Sequence, residues 1–167
     1  MSEAVTVKDV CDHQIRHGKK LFTPEDIRRM LEKASIPLRA MILLGINGGM
    51  GNKDCGRLPL RIVQFDKGVY AHGKISLGTR SDATREEFDK VLVKRNLKRK
   101  GVGFYALRHT FRTWAGEVQD PHAVYRIMGD VVPGMDAYYV EEIELPRLQA
   151  VVDHVRQKLF GTRPTAP

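Results

Sequence analysis

Phe104-Tyr105-Ala106-Leu107-Arg108-His109-Thr110-Phe111 is the stretch on which the reading of this chain turns. Ile127-Met128-Gly129-Asp130 follows it, and then Met135-Asp136-Ala137-Tyr138-Tyr139. An arginine and a histidine stand side by side near the start of a helix expected over 104–118. A tyrosine pair closes the segment about thirty residues later. Asp120 is a capping residue ahead of Pro121, which predicts a helix over 121–128. A short helix is expected near 135–139. A longer one is expected over 145–160, with an apolar stripe of Leu145, Leu148, Val151, Val152, Val155, Leu159 and Phe160.

Upstream, residues 5–17 carry a loose helical pattern, and His17-Gly18-Lys19-Lys20 reads as a basic linker. Thr23 then offers a hydroxyl to the first amides of a helix, with Pro24 at its first position and Glu25 and Asp26 near its positive end. Phe22, Ile27, Met30 and Leu31 supply its buried side. Residues 37–46 are apolar all round and belong in the core. Gly48, Gly49 and Gly51 end that helix; no Walker pattern accompanies them, so they read as a turn that needs positive φ. A short helix is expected over 53–57. Residues 60–77 alternate apolar and polar side chains around Asp66-Lys67-Gly68 and Gly73-Lys74, which predicts two or three short antiparallel strands. Thr84 with Glu87 three residues on has the form of a capping box, starting a helix that runs to about residue 95. The predicted class is mostly α with a small antiparallel β-sheet, in one domain over 21–160, with a loose tail over 161–167.

With 28 Lys and Arg against 20 Asp and Glu, the 167-residue chain carries a formal charge of +8, which favours a polyanionic partner. Lys90, Lys94, Arg95, Lys98, Arg99 and Lys100 concentrate that charge. They read as a solvated helix face and loop, or as a strip that tracks phosphates. Cys11 and Cys55 have neither CxxC spacing nor a disulfide framework, and the histidines lack ligand spacing, so no metal or cofactor is expected. No apolar run reaches the roughly twenty residues that span a bilayer. A cytoplasmic protein without membrane contact is the expectation.

The Leu-Arg-His motif, the Met-Gly step and a tyrosine nine residues after Asp130 together resemble the catalytic domain of the tyrosine recombinases, the phage-integrase family. Phe22-Thr23-Pro24-Glu25-Asp26-Ile27 is similar to that domain's opening. Residues 43–58 are similar to the helix, glycine turn and short helix that present its first catalytic arginine. The resemblance covers residues 21–160 and implies a recombinase-like core acting on duplex DNA. It also implies that residues 1–20 are a vestige of the DNA-clamping domain that precedes the core. In such enzymes a tyrosine oxygen attacks a DNA phosphorus, and guanidinium and imidazole donors stabilise the charge on the phosphate oxygens. A lysine protonates the leaving 5′ oxygen, and a 3′-phosphotyrosine conserves the bond for rejoining.

Carried over residue by residue, the resemblance implies Tyr139 as nucleophile, with Tyr138 the alternative one register away. Arg108 takes the second arginine position, and His109 follows it as in the family. Lys74 or Lys67 takes the β-hairpin lysine. Three positions depart from the pattern: Gly51 where the first arginine should stand, Tyr105 for a histidine, and Asp130 for a histidine or tryptophan. Losing one preorganised donor costs on the order of 10²–10³ in rate, so this set predicts impaired strand transfer. Lys94, Arg95, Lys98, Arg99 and Lys100 are the expected DNA contacts, and the last helix is expected to pack on its own domain, with docking on a neighbouring protomer the alternative. The competing readings are an intact strand-transfer enzyme and a small basic RNA-binding or protein-interaction domain. Read without the resemblance, Arg108 is a surface charge or core-edge donor, His109 is a packed histidine, and Phe111 and Trp114 are core.

Overall fold

The computed structural model describes residues 18–58, 63–64, 69–70, 81–132, 134 and 142–161. Helix α1 (Pro24–Lys33) starts with a reciprocal cap: the Asp26 amide donates to Thr23 Oγ1 at 3.1 Å, and the Thr23 amide donates to Asp26 Oδ2 at 3.0 Å. That satisfies two amides a helix start leaves without partners. Helix α2 (Ile36–Gly48) is capped by Ser35 and ends at Gly49. Gly49 has φ +63°, a left-handed conformation that favours glycine. Helix α3 (Asn52–Arg57) follows within three residues.

The described residues fold as helices, and the expected small antiparallel sheet is not seen among them. In its region the described residues contain only a two-residue antiparallel pairing, Val63–Gln64 with Val69–Tyr70, in the register Val63 to Tyr70 and Gln64 to Val69. A pairing this short is far below the three or more strands that give a sheet independent stability. The core is closed by helices.

Helix α4 (Ser81–Lys94) begins three residues ahead of the expected Thr84 cap. Thr84 is buried inside the helix, its hydroxyl 3.7 Å from Met41 Sδ. Glu87 does not reach back along its own helix to close a capping box; it accepts a hydrogen bond from Ser35 Oγ at 2.5 Å and ties α4 to the start of α2. Helix α5 (Ala106–Ala115) turns into a single 3₁₀ turn over Gly116–Val118. Helix α6 (Pro121–Met128) is capped by Asp120, which accepts from the Ala123 amide at 3.1 Å, and ends at Gly129 with φ +67°. Helix α7 (Leu145–Phe160) completes the described fold.

Helix α5 organises the domain. Ala106, Leu107, Thr110, Phe111, Trp114 and Ala115 are buried, one face repeating every three to four residues. That face packs on α2 and α7. At the α2 crossing a Cβ on Gly45 would lie 3.1 Å from Leu107, so glycine is what lets the backbones approach this closely. Helix α7 packs on α1, α2, α5 and α6, burying Val151, Val155 and Leu159. A single apolar cluster extends from Phe22 to Leu159. Phe22 and Phe104 each meet Phe88 edge-on, at 6.2 and 5.2 Å between ring centroids.

Candidate functional site

The two glycine-terminated helices, α2 and α6, end beside the first turn of α5, and Arg108 joins them. Its Nη1 donates to the Gly49 carbonyl at 2.6 Å and to the Met128 carbonyl at 3.3 Å. Its Nη2 donates to Asp130 Oδ1 at 2.5 Å. A guanidinium has five N–H donors, and three of Arg108's are engaged by these partners. Carbonyls at helix C-termini carry partial negative charge, so a cation is favoured here by the peptide dipoles as well as by Asp130. The Arg108 side chain is only 14% exposed, whereas Asp130 is 40% exposed. Arg108 is thus a clasp on the inside and an ion pair on the outside.

Outside the clasp lies an open cleft of about 320 Å³, lined by Met50, Asp54, Tyr105, Arg108, Met128, Gly129 and Asp130. Gly51 sits at its edge. A Cβ there would lie 3.2 Å from Asp54 Oδ2 and 3.7 Å from the Tyr105 ring. The Gly51 amide donates to Asp54 Oδ2 at 2.9 Å, capping α3. Gly51, Tyr105, Arg108 and Asp130, four positions spread over 51–130, therefore meet in one place. The cleft is not basic. One guanidinium faces two carboxylates, Asp54 and Asp130. The spacing of Gly51 and Asp54 matches a capping pair and was the available signal for the second carboxylate.

His109 is exposed on the next position of α5, its ring edge-on to Tyr105 at 5.2 Å. Partial burial pushes its imidazole below the ordinary histidine value, and the positive charges of Lys20 and Arg108 push it the same way. Tyr138, Tyr139, Lys67 and Lys74 lie outside the described residues, as do the helices expected over 5–17 and 135–139.

The basic strip is less free than its sequence suggests. Arg95 pairs with Glu32 at 3.1 Å, and Lys98 pairs with Asp89 at 2.6 Å. Arg99 donates to the Leu21 carbonyl at 2.7 Å and lies 5.9 Å from the centre of the Phe22 ring. Lys94 and Lys100 are exposed, with no acidic partner among the described residues. Phe111 and Trp114 belong to the core and offer no stacking platform. Burial, with Asp54 nearby, pushes the Cys55 thiol up to about 12, which leaves it inert as a nucleophile. Among the described residues no cluster suits a metal ion, and no helix is long and apolar enough to cross a membrane. Comparison with protein-family models, with curated proteins and with solved structures gives no match.

Proposed function

We propose that the chain is a duplex-DNA-binding domain related to the tyrosine recombinases, acting in the cytoplasm, in which strand transfer is impaired. The observation that carries the reading is the Arg108 clasp. The one guanidinium that the resemblance assigns to the scissile phosphate holds two helix ends and a carboxylate instead. An incoming phosphate would meet Asp130 2.5 Å from the same guanidinium, and Asp54 across the cleft. Two like charges added to the seat oppose the anion that the chemistry requires.

Kinship with the family is supported by the meeting of Gly51, Tyr105, Arg108 and Asp130 at one cleft, as their spacing in such a domain requires. Affinity for DNA is supported by the charge of +8 and by exposed lysines outside the cleft. Docking of α7 on a second protomer has no such support, because Val151, Val155 and Leu159 are buried within this chain.

Two measurements test the proposal. Binding to a short duplex, followed by fluorescence anisotropy, should weaken linearly in log[salt], with a slope of about −0.9 per phosphate contact. A nicked suicide duplex should yield no covalent adduct, with wild type and Tyr139→Phe indistinguishable. An adduct formed by wild type and abolished in Tyr139→Phe would overturn the impaired reading. Salt-independent or absent binding would overturn the DNA reading.

A further inference from the structure

In a chain of formal charge +8, the cleft beside Arg108 has an acidic lining: two carboxylates, Asp54 and Asp130, against one guanidinium. That guanidinium is already engaged, by the Gly49 and Met128 carbonyls and by Asp130. The carbonyl ends of α2 and α6 add partial negative charge of their own. Asp54 is exposed and has no basic partner among the described residues. Each carboxylate has one oxygen in use: Asp54 Oδ2 accepts from the Gly51 amide at 2.9 Å, and Asp130 Oδ1 accepts from Arg108. A carboxylate has about four lone-pair sites on its two oxygens, so both can take a further donor.

Gly51 shapes the space next to these groups. Its φ of −78° and ψ of 170° are extended values that any residue adopts, so the backbone does not require glycine there. The missing side chain leaves room instead. The point a Cβ would occupy lies 3.2 Å from Asp54 Oδ2 and 3.7 Å from two carbons of the Tyr105 ring. A carboxylate oxygen and an aromatic ring therefore border one gap. The ring is 55% exposed and lines the cleft, and the buried thioether side chains of Met50 and Met128 supply the apolar part of the lining.

We propose that the cleft is a site for a small primary amine, bound as its alkylammonium ion. An ammonium head has three donors and no acceptor, which suits the unfilled acceptor sites of Asp54 and Asp130. The π electrons of Tyr105 favour the same charge, and the alkyl stem lies against Met50 and Met128. At about 320 Å³ the cleft is near the lower end of ligand pockets, with room for a charged head and a short stem. The site is independent of the DNA reading, because its own lining selects a cation.

The test is NMR of the isotope-labelled full chain, followed at the Gly51 amide, which donates to Asp54 and so reports on that carboxylate. The probe is n-butylamine at neutral pH, where it is protonated; n-butanol has the same stem without the charge. The expected result is a saturable movement of the Gly51 resonance with the amine and none with the alcohol. Asp54→Asn keeps an oxygen for the Gly51 amide and removes only the charge, so amine binding should weaken by about tenfold or more. Gly51→Ala keeps both carboxylates and fills the gap, and should weaken binding as well. Tyr105→Leu should weaken it by about two- to fivefold. Asp153→Asn, on α7 and outside the cleft lining, should stay at wild type. A Gly51 resonance that does not move, moves without saturating, or moves equally with n-butanol overturns the site. Amine binding within twofold of wild type in both Asp54→Asn and Gly51→Ala overturns it too. The amine–alcohol contrast uses the unaltered chain, so it decides the matter even where circular dichroism shows a variant unfolded.

Discussion

Arg108→Ala should behave as a core-weakening change. Two of the bonds lost run from a charged donor to helix-terminal carbonyls, and charge-assisted bonds contribute about 1.5–3 kcal/mol each. The 3.3 Å bond to Met128 belongs at the low end of that range. The ion pair with Asp130 adds about 0–1 kcal/mol, since the carboxylate is 40% exposed and screened by water. The sum is about 3–5.5 kcal/mol, a large share of the roughly 5–15 kcal/mol that holds a domain together. Urea unfolding followed by far-ultraviolet circular dichroism measures it, as a lower midpoint at unchanged slope. Arg108→Lys should recover only part of the loss, because an ammonium cannot span both carbonyls and the carboxylate as a planar fork does. Asp130→Asn should cost about 1 kcal/mol or less, because the clasp to Gly49 and Met128 remains. If Arg108→Ala unfolds within about 0.5 kcal/mol of wild type, as ordinary surface substitutions do, the clasp is not structural and the reasoning fails.

Gly49→Ala should cost about 2–4 kcal/mol in the same assay. It forces an L side chain to φ +63° and sets its Cβ 2.9 Å from Phe111 and 3.0 Å from Met128. Thr110→Val should cost about 1–3 kcal/mol by leaving the buried Phe22 amide without an acceptor, while Thr110→Ser should keep most of the stability. Asp120 is held below the usual carboxylate range chiefly by its hydrogen bonds from Arg147, with help from the Ala123 amide. A depressed folded value contributes stability above the unfolded value and loses it as pH falls through the folded one. The urea midpoint should therefore drop below about pH 4, and Asp120→Ala should flatten that drop and lower stability by about 1 kcal/mol at neutral pH.

Helix starts were legible wherever a local side chain closes the first turn. Thr23, Pro24 and Asp26 mark α1, and Asp120 with Pro121 marks α6, because capping involves residues within one turn of each other. The Thr84–Glu87 pair has the same form and misled, because Glu87 bonds Ser35 across the fold and Thr84 faces the core. A four-residue pattern carries no information about a partner 52 residues away. The sheet expectation failed for a related reason. Alternation records which side chains are apolar, while a sheet needs further strands to pair with, and those lie outside any local window. In the candidate site, Tyr105, Arg108 and Asp130 line one cleft with Gly51 next to it, while Tyr139 lies outside the described residues. Spacing did not reveal that Asp54 joins them, or that the guanidinium faces inward.

That inward orientation follows from the helix geometry. Helices α2 and α6 each end at a left-handed glycine, which leaves carbonyls pointing past the end of the helix. Two such ends next to each other concentrate partial negative charge where Arg108 reaches it. Asp130 is the residue immediately after the second of these glycines, so its carboxylate completes the same cradle from outside. A neutral or cationic residue there would leave the outer face of the guanidinium available to an anion in solution. An aspartate places a tethered anion on that face, at an effective concentration that a diffusing phosphate has difficulty matching. The clasp and a phosphate seat are therefore alternatives for one side chain, and this sequence selects the clasp.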